Sequence, residues 1–342
     1  MRILIVKTSS LGDIIHTFPA LTDAGKAISD IEFDWVAEES FAQIATWHPL
    51  VKHVIPVAWR RWRKNLFSLR TLKEFQHFKS QLQAFNYDYV IDAQGLWKSG
   101  LMTRFARGKR CGFNWSSARD RFASLFYQHT FAAPKKQDAH AIVRIRHLFS
   151  QALGYDYQDT VPDYGIARHQ FGEKETAHPY IVFLHGTTWP TKHWPVEYWI
   201  ELGNLLNKNG FLIKLPWGNA IEQERAHQIA NACQNAQVLN RLDLIGVAHI
   251  LASATAIVAV DTGLGHLAAA LNVPTVSLYG PTNPLLTGAW GQSQVHLAAE
   301  FPCAPCLRRE CNYPQRDSYL QQPPCFTKVP PALVWDKVKN ML

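Results

Sequence analysis

Short apolar runs alternate along the chain with longer stretches in which apolar side chains recur every three or four positions. The first half predicts strands at Ile3–Lys7, Phe33–Glu38, His53–Val57 and Tyr87–Asp92, each β-branched or aromatic and bounded by turn residues. Helical periodicity covers Ile14–Ala27, Leu69–Phe85 and Ala139–Leu153. Strands alternating with helices of this length build parallel βαβ units, which predicts an α/β doubly wound sheet. The stretch Gly154–His178 has little periodicity and reads as a linker. A second alternation follows, with strands at Tyr180–His185, Phe211–Pro216, Val238–Asn240, Ala256–Val260 and Thr275–Tyr279. Its helices are expected at Pro195–Asn209, Ala220–Ala232, Asp243–Ala252 and Gly265–Leu271. The expected domains are therefore 1–160, 175–325 and a C-terminal helix within 326–342 that packs back toward the first domain. Two Rossmann-like domains place ligand sites at the carboxyl ends of their strands, facing a central cleft.

Length agrees with this division: 342 residues, 47% of them apolar, suit two cores of roughly 150 residues better than one. No apolar stretch approaches the roughly 18 residues a membrane span needs, and Met1–Lys7 reads as a first strand in a cytosolic protein rather than a signal peptide. Charge is unevenly spread. Residues 1–150 carry 22 Lys and Arg against 12 Asp and Glu, and the remainder carries 13 against 15. A basic excess confined to one half points to a polyanionic partner for that half, either nucleic acid or anionic lipid and phosphorylated sugar. The clusters are Arg60-Arg61-Trp62-Arg63-Lys64, then Arg104, Arg107, Lys109 and Arg110, then Arg119 and Arg121. Of six cysteines, Cys111 and Cys233 read as isolated core residues. Cys303, Cys306, Cys311 and Cys325 lie close in sequence, at spacings that fit no zinc ribbon; packed thiols are the preferred reading over a metal or redox site.

Candidate chemistry sits at strand ends. Val260-Asp261-Thr262-Gly263-Leu264-Gly265-His266 joins an apolar strand to a helix, where backbone amides and close glycine approach make a phosphate site. Its glycines also fit a dinucleotide fingerprint, but that motif belongs on the first strand of its domain with an acid about 20 residues on. A helix merely capped by Asp261 or Thr262 is the simpler alternative. Thr187, Thr188 and Lys192, in a second strand-end loop, offer hydroxyls and a cation that suit a departing diphosphate, with a merely solvated loop lysine as the simpler alternative. Glu222 follows a third strand end and suits either ribose hydroxyls or a helix dipole. In the first half, Lys7-Thr8-Ser9-Ser10-Leu11-Gly12-Asp13 offers a hydroxyl-rich loop and an acid, with Asp13 also readable as an N-cap.

Several of these segments, in order, resemble the ADP-heptose lipopolysaccharide heptosyltransferases, glycosyltransferase family 9, over residues 1 to about 300. They are Arg2–Asp13, Tyr89-Val90-Ile91-Asp92-Ala93-Gln94-Gly95-Leu96, Lys192-His193-Trp194-Pro195, Lys214-Leu215-Pro216-Trp217-Gly218 and Val260-Asp261-Thr262-Gly263. Arg60–Lys64 and Ala123–Tyr127 are similar to the subgroup that adds the first heptose, whereas Phe301–Cys311 departs from it. The resemblance implies a GT-B fold and an inverting, metal-independent transfer of heptose from ADP-heptose to Kdo of Kdo-lipid A, with no cofactor. Carried onto this chain, it makes Asp13 the general base and Lys192 a catalytic cation. Thr187, Thr188, Lys192, Glu222, Leu242, Asp261, Thr262, Gly263 and His266 would bind the donor, Leu242 at the adenine. Ser10, Arg60, Arg61, Arg63, Lys64 and Gln94 would bind the acceptor. A monomer is implied, peripheral on the cytoplasmic face of the inner membrane, with no nucleic-acid partner. The competing readings are a GT-B enzyme with another sugar donor and a nucleic-acid-binding protein built on the basic half.

Overall fold

The computed structural model describes residues 1–65, 68–172, 178–313 and 323–342. It divides into two units, Met1–Ile166 and Ala167–Leu342. That boundary falls inside the aperiodic 154–178 stretch. Residues 173–177, and with them the expected domain start at 175, lie outside the described residues.

Unit 1 contains strands β1 (Arg2–Val6), β2 (Glu32–Glu38), β3 (Val51–Val57), β4 (Asn86–Asp92), β5 (Arg107–Phe113) and β6 (His129–Phe131). All pair in parallel in the order β3-β2-β1-β4-β5-β6. Its helices are α1 (Leu11–Ile15), α2 (Phe18–Ala27), α3 (Ala42–Ala45), α4 (Trp59–Trp62), α5 (Leu69–Leu82), α6 (Trp97–Thr103) and α7 (Ala141–Leu153). Unit 2 contains β7 (Tyr180–Leu184), β8 (Leu212–Leu215), β9 (Ala236–Val238), β10 (Ala256–Val260), β11 (Thr275–Tyr279) and β12 (Gln294–Ala298), again parallel, in the order β12-β11-β10-β7-β8-β9. Its helices are α8 (Val196–Lys208), α9 (Ala220–Asn231), α10 (Leu244–Ala252), α11 (Gly263–Ala270), α12 (Pro284–Thr287) and α13 (Pro331–Lys339).

Each sheet has the strand order of a dinucleotide-binding fold, reversing direction between its first and fourth strands. The switch point lies between β1 and β4 in unit 1 and between β7 and β10 in unit 2. Of these central strands β1, β7 and β10 are almost wholly buried apolar residues, as parallel strands covered on both faces must be, while β4 is buried only toward its carboxyl end. The core of unit 2 joins Ile181, Phe183, Val258 and Val260 to Trp194, Trp199 and Leu202. Val334 and Val338 of α13 belong to it, where α13 packs on α8 and β11.

The apolar pattern located the central strands within a residue or two, whereas β5, β6 and β12 were not predicted. β5 reads Arg-Gly-Lys-Arg before its apolar end, β6 has three residues, and β12 alternates weakly at a sheet edge. The single helix expected over Ile14–Ala27 is two, parted at His16-Thr17, with Thr17 capping α2 and Pro19 in its first turn. Proline is accommodated there because the first helical amides have no intrahelical acceptor.

Candidate active site

In unit 2 the switch point gathers Thr187, Lys192, Asp261 and Thr262 of the predicted donor residues into one cluster. Lys192 pairs with Asp261 at 2.7 Å, both largely buried. The Thr282 hydroxyl donates to the same Asp261 oxygen at 2.7 Å, and the Thr187 hydroxyl donates to the Asp261 carbonyl at 2.9 Å. The end of β7 is thereby tied to the end of β10. Thr262 is the N-cap of α11, as one capping alternative placed it, but its side chain makes no capping bond. The first amides of α11 point into the cluster with the positive end of its dipole. His266 is buried one turn along. Lys192 also lies over the Trp189 ring, 4.6 Å from its centroid, with Arg309 on that ring at 5.4 Å. Thr188 is exposed beside them.

Glu222 has the helix-dipole geometry expected of it. It occupies the first turn of α9, where Asn219 caps by accepting the Glu222 N–H, and its carboxylate accepts the Gly218 N–H at 2.8 Å. The same carboxylate lies against Gly186 at the end of β7: a Cβ there would fall 2.6 Å from the Glu222 carboxyl carbon. Below it, burial pushes His185 down to about 3 and His193 down to about 4, with Arg225 adding to both. Leu242 is half-buried past the end of β9, where the Trp217 indole donates to the Leu239 carbonyl at 2.7 Å.

In unit 1 the corresponding point holds Asp13. Ser10 is the N-cap of α1 and Asp13 its third residue, which corrects the reading of Asp13 as the N-cap. The Asp13 carboxylate accepts the Ser10 N–H at 2.9 Å and the Ser10 hydroxyl at 3.1 Å. Burial alone would raise its pKa, but the Lys7 ammonium, the Ser10 donors and Arg119 outweigh burial and hold the carboxyl below its usual range. Lys7 is itself buried at the end of β1 and donates to the Ala93 carbonyl at 2.9 Å. Burial depresses its pKa against the opposing pull of Asp13 and Asp92. Gln94 accepts the Thr8 and Ser9 N–H groups at 3.1 and 3.2 Å, so its carbonyl shapes the loop that carries Ser10. Asp92 anchors the end of β4 through Gln94 N–H, Gly95 N–H, the Ser99 hydroxyl and the Tyr127 hydroxyl.

The basic segment 60–64 separates on folding. The Arg60 N–H binds Glu38 at 3.0 Å, and Arg63 and Lys64 are exposed. Arg61 is gripped by Glu39 at 3.1 Å and Glu74 at 2.7 Å, and lines a separate pocket of about 370 Å³ with Trp62, Lys73 and His77. Lys98, at the start of α6, was missed from the sequence. Burial lowers its pKa; Glu38 opposes that, and Arg60, Arg63 and Arg119 add to it, which places all four charges around it. Lys7 opened a flagged motif without a role of its own, and Lys98 and Thr282 were visible only as ordinary polar residues. Their burial or convergence is tertiary. Cys111, Cys233 and Cys325 are buried, Cys306 is half-buried and Cys303 exposed. Among the described residues no group of three His, Cys, Asp or Glu is arranged to hold a metal ion.

Two Rossmann-ordered sheets in tandem, one ending in a cationic, hydroxyl-lined helix tip and the other in a half-buried acid beside a buried lysine, define a GT-B glycosyltransferase. The family model for glycosyltransferase family 9 (heptosyltransferase) matches residues 75–316. Lipopolysaccharide heptosyltransferase 1 of Pseudomonas aeruginosa is 54% identical over 351 aligned residues, covering 100% of this chain and 98% of the relative. The solved Escherichia coli heptosyltransferase WaaC with ADP superposes with a TM-score of 0.88 at 46% identity over the whole of both chains. The same enzyme with ADP-2-deoxy-2-fluoro heptose gives 0.85 at 44% identity, also over the whole of both. The chain belongs to glycosyltransferase family 9, the heptosyltransferases.

Proposed function

We propose that this enzyme transfers L-glycero-D-manno-heptose from ADP-heptose to Kdo of Kdo-lipid A, with inversion and without a metal, as a step of lipopolysaccharide inner-core synthesis. The observation that carries the reading is the convergence of Thr187, Lys192, Asp261 and Thr262 on the start of α11, at the switch point of a unit whose relatives are named for heptose transfer and solved with ADP and a fluorinated ADP-heptose. The diphosphate lies at the α11 amides with Thr187, Thr188, Thr262, Gly263 and Lys192. His266 and Asp261 face the sugar, Glu222 the ribose and Leu242 the adenine. Lys192 already neutralises Asp261, so a diphosphate arriving beside that carboxylate meets a site without net negative charge.

Asp13 takes the proton from the attacking Kdo hydroxyl. The new bond forms between that oxygen and the anomeric carbon as the carbon–oxygen bond to ADP breaks on the opposite face. The charge that develops on the leaving diphosphate is stabilised by helix amides and Lys192. Arg60, Arg63, Lys64 and Ser10, joined by Lys98 and Arg119, supply cations and a hydroxyl for the acidic groups of the acceptor; Gln94 shapes the loop, and Arg61 orders α4 through Glu39 and Glu74. The protein acts as a cytoplasmic monomer held peripherally on the inner membrane, where its lipid-anchored acceptor lies.

The deciding experiment compares turnover of ADP-heptose, UDP-sugars and GDP-mannose with Kdo-lipid A. ADP release only with ADP-heptose is expected. Equal turnover of a different nucleotide sugar would replace the donor assignment, and no turnover at all with tight nucleic-acid binding would replace the class of function.

A further inference from the structure

Unit 1 exposes large apolar side chains on α6 and the neighbouring segment 115–125. Arg121–Phe126 forms a 3₁₀ helix, in which residues three apart eclipse one another. Ala123 and Phe126 turn inward, and Phe126 packs so closely on α6 that a Cβ at Gly100 would lie 2.9 Å from its ring. Phe122 and Leu125 therefore turn outward together, 61% and 69% exposed. Asp120 accepts the Phe122 N–H at 3.1 Å on one oxygen and the Trp97 N–H at 3.3 Å on the other, which ties the 3₁₀ helix to the start of α6, where Trp97 is 48% exposed and packs edge-on against Trp59 with centroids 6.1 Å apart. Trp115, 47% exposed, packs edge-on against Phe122 with centroids 5.6 Å apart.

Cations rim this cluster. Arg119 and Arg121 flank Asp120 and are exposed, Lys98 follows Trp97, and Arg104 ends α6. No ion pair among the described residues engages Arg104, Arg119 or Arg121. Contiguous exposed apolar surface on a soluble protein marks an interaction site. Tryptophan and phenylalanine ringed by unpaired arginine suit the boundary between acyl chains and anionic headgroups, where the rings enter the interface and the guanidinium groups stay at phosphate level. The face is also continuous with the catalytic unit's own site, because Arg119 acts electrostatically on Asp13 and on Lys98.

We propose that Trp97, Trp115, Phe122 and Leu125, with Arg104 and Arg121, form the surface that docks this enzyme on an anionic bilayer. The assignment rests on the peripheral association proposed above and names the face responsible. Docking there holds the Asp13 side of the molecule at the level where a lipid-anchored sugar emerges from the headgroups.

The test is cosedimentation of the full chain with vesicles of phosphatidylcholine alone and of phosphatidylcholine with phosphatidylglycerol. The wild-type protein is expected to bind the anionic vesicles about tenfold or more tightly than the neutral ones, with the advantage shrinking at high salt. Phe122→Ser with Leu125→Ser, and separately Arg104→Gln with Arg121→Gln, should each weaken anionic-vesicle binding about tenfold, while turnover of a water-soluble, acyl-free Kdo acceptor stays within twofold. Wild-type binding that both double variants retain would move docking to another face and leave peripheral association intact. Absence of wild-type binding to anionic vesicles would remove both. An equal loss of turnover on the soluble acceptor would assign the cluster to folding or to the catalytic site instead.

Discussion

Lys192 and Asp13 illustrate how a charged side chain acquires a task from its neighbours. Lys192 is held by Asp261 through a 2.7 Å contact, and the same carboxylate oxygen accepts the Thr282 hydroxyl, so the pair is fixed in place with its net charge neutral before a diphosphate arrives. Lys192→Ala is expected to weaken ADP binding and to lower kcat by about two orders of magnitude, the usual worth of one donor of about 3 kcal/mol to a developing anion. Calorimetry with ADP and steady-state kinetics read the two effects separately; survival of both affinity and rate removes the leaving-group role. Asp13→Asn keeps the shape of the carboxylate and loses its basicity. Turnover should fall by about 10² to 10⁴-fold with donor affinity within a few-fold, and a variant retaining more than a tenth of the wild-type rate would exclude Asp13 as base. Because Lys7 and the Ser10 donors hold the Asp13 carboxyl below its usual range, the acid form is absent near neutrality. The acid limb of kcat/KM that belongs to Asp13 should therefore lie below the ordinary carboxylate pKa of about 3.9.

At the scale of elements, the site is a set of strand-to-helix junctions held at close quarters. The β7 end passes so near α9 that Gly186 has no room for a side chain: its Cβ would meet the Glu222 carboxylate, which is already bound by the Gly218 N–H. Gly186→Ala should displace Glu222 and raise the Kd for ADP by about tenfold, the price of one lost hydrogen bond to a charged group. Thermal stability should change little, because Glu222 can swing toward solvent at the start of α9. A variant with unchanged nucleotide affinity would show that Glu222 does not contact the ribose. The same scale explains what the sequence concealed. β5 is polar for its first four residues because that part of the strand is half exposed, so no apolar run announces it. Its buried end, Cys111-Gly112-Phe113, has no periodicity to distinguish it from a turn.

Across the whole molecule, each unit buries a histidine that cannot easily accept a proton. His48 in unit 1 is pushed down to about 4 by burial, against a weaker opposing pull from Asp163, and His185 in unit 2 to about 3. Both folded values lie below the unfolded value of about 6.5, so between those limits the unfolded chain binds more protons than the folded one. Stability from these groups is complete above pH 6.5 and is lost as pH falls. Each contributes a slope approaching about 1.4 kcal/mol per pH unit from 6.5 toward its folded value. Urea midpoints measured from pH 7 to 4 should decline accordingly, and His48→Gln should flatten the decline by one histidine's share. Midpoints independent of pH over this range would mean that neither ring is held neutral by the fold.

The order of apolar and polar residues by itself determined the alternation of strands and helices, the parallel sheets that follow from it and the motifs at the carboxyl ends of β1, β7 and β10. Burying a central strand on both faces demands an unbroken apolar run, and a phosphate-binding turn demands glycine and hydroxyls in consecutive positions; both are local requirements. Tertiary structure alone decided that Lys192 meets Asp261, that Arg61 is taken by Glu39 and Glu74 while Lys98 and Arg119 gather near Glu38 and Asp13, and that Trp115 meets Phe122 while Asp120 ties the Phe122 segment to the start of α6. These partners lie far apart in sequence or on separate elements, and a charge pair or an apolar cluster forms through distance in space, to which the spacing of residues along the chain is blind.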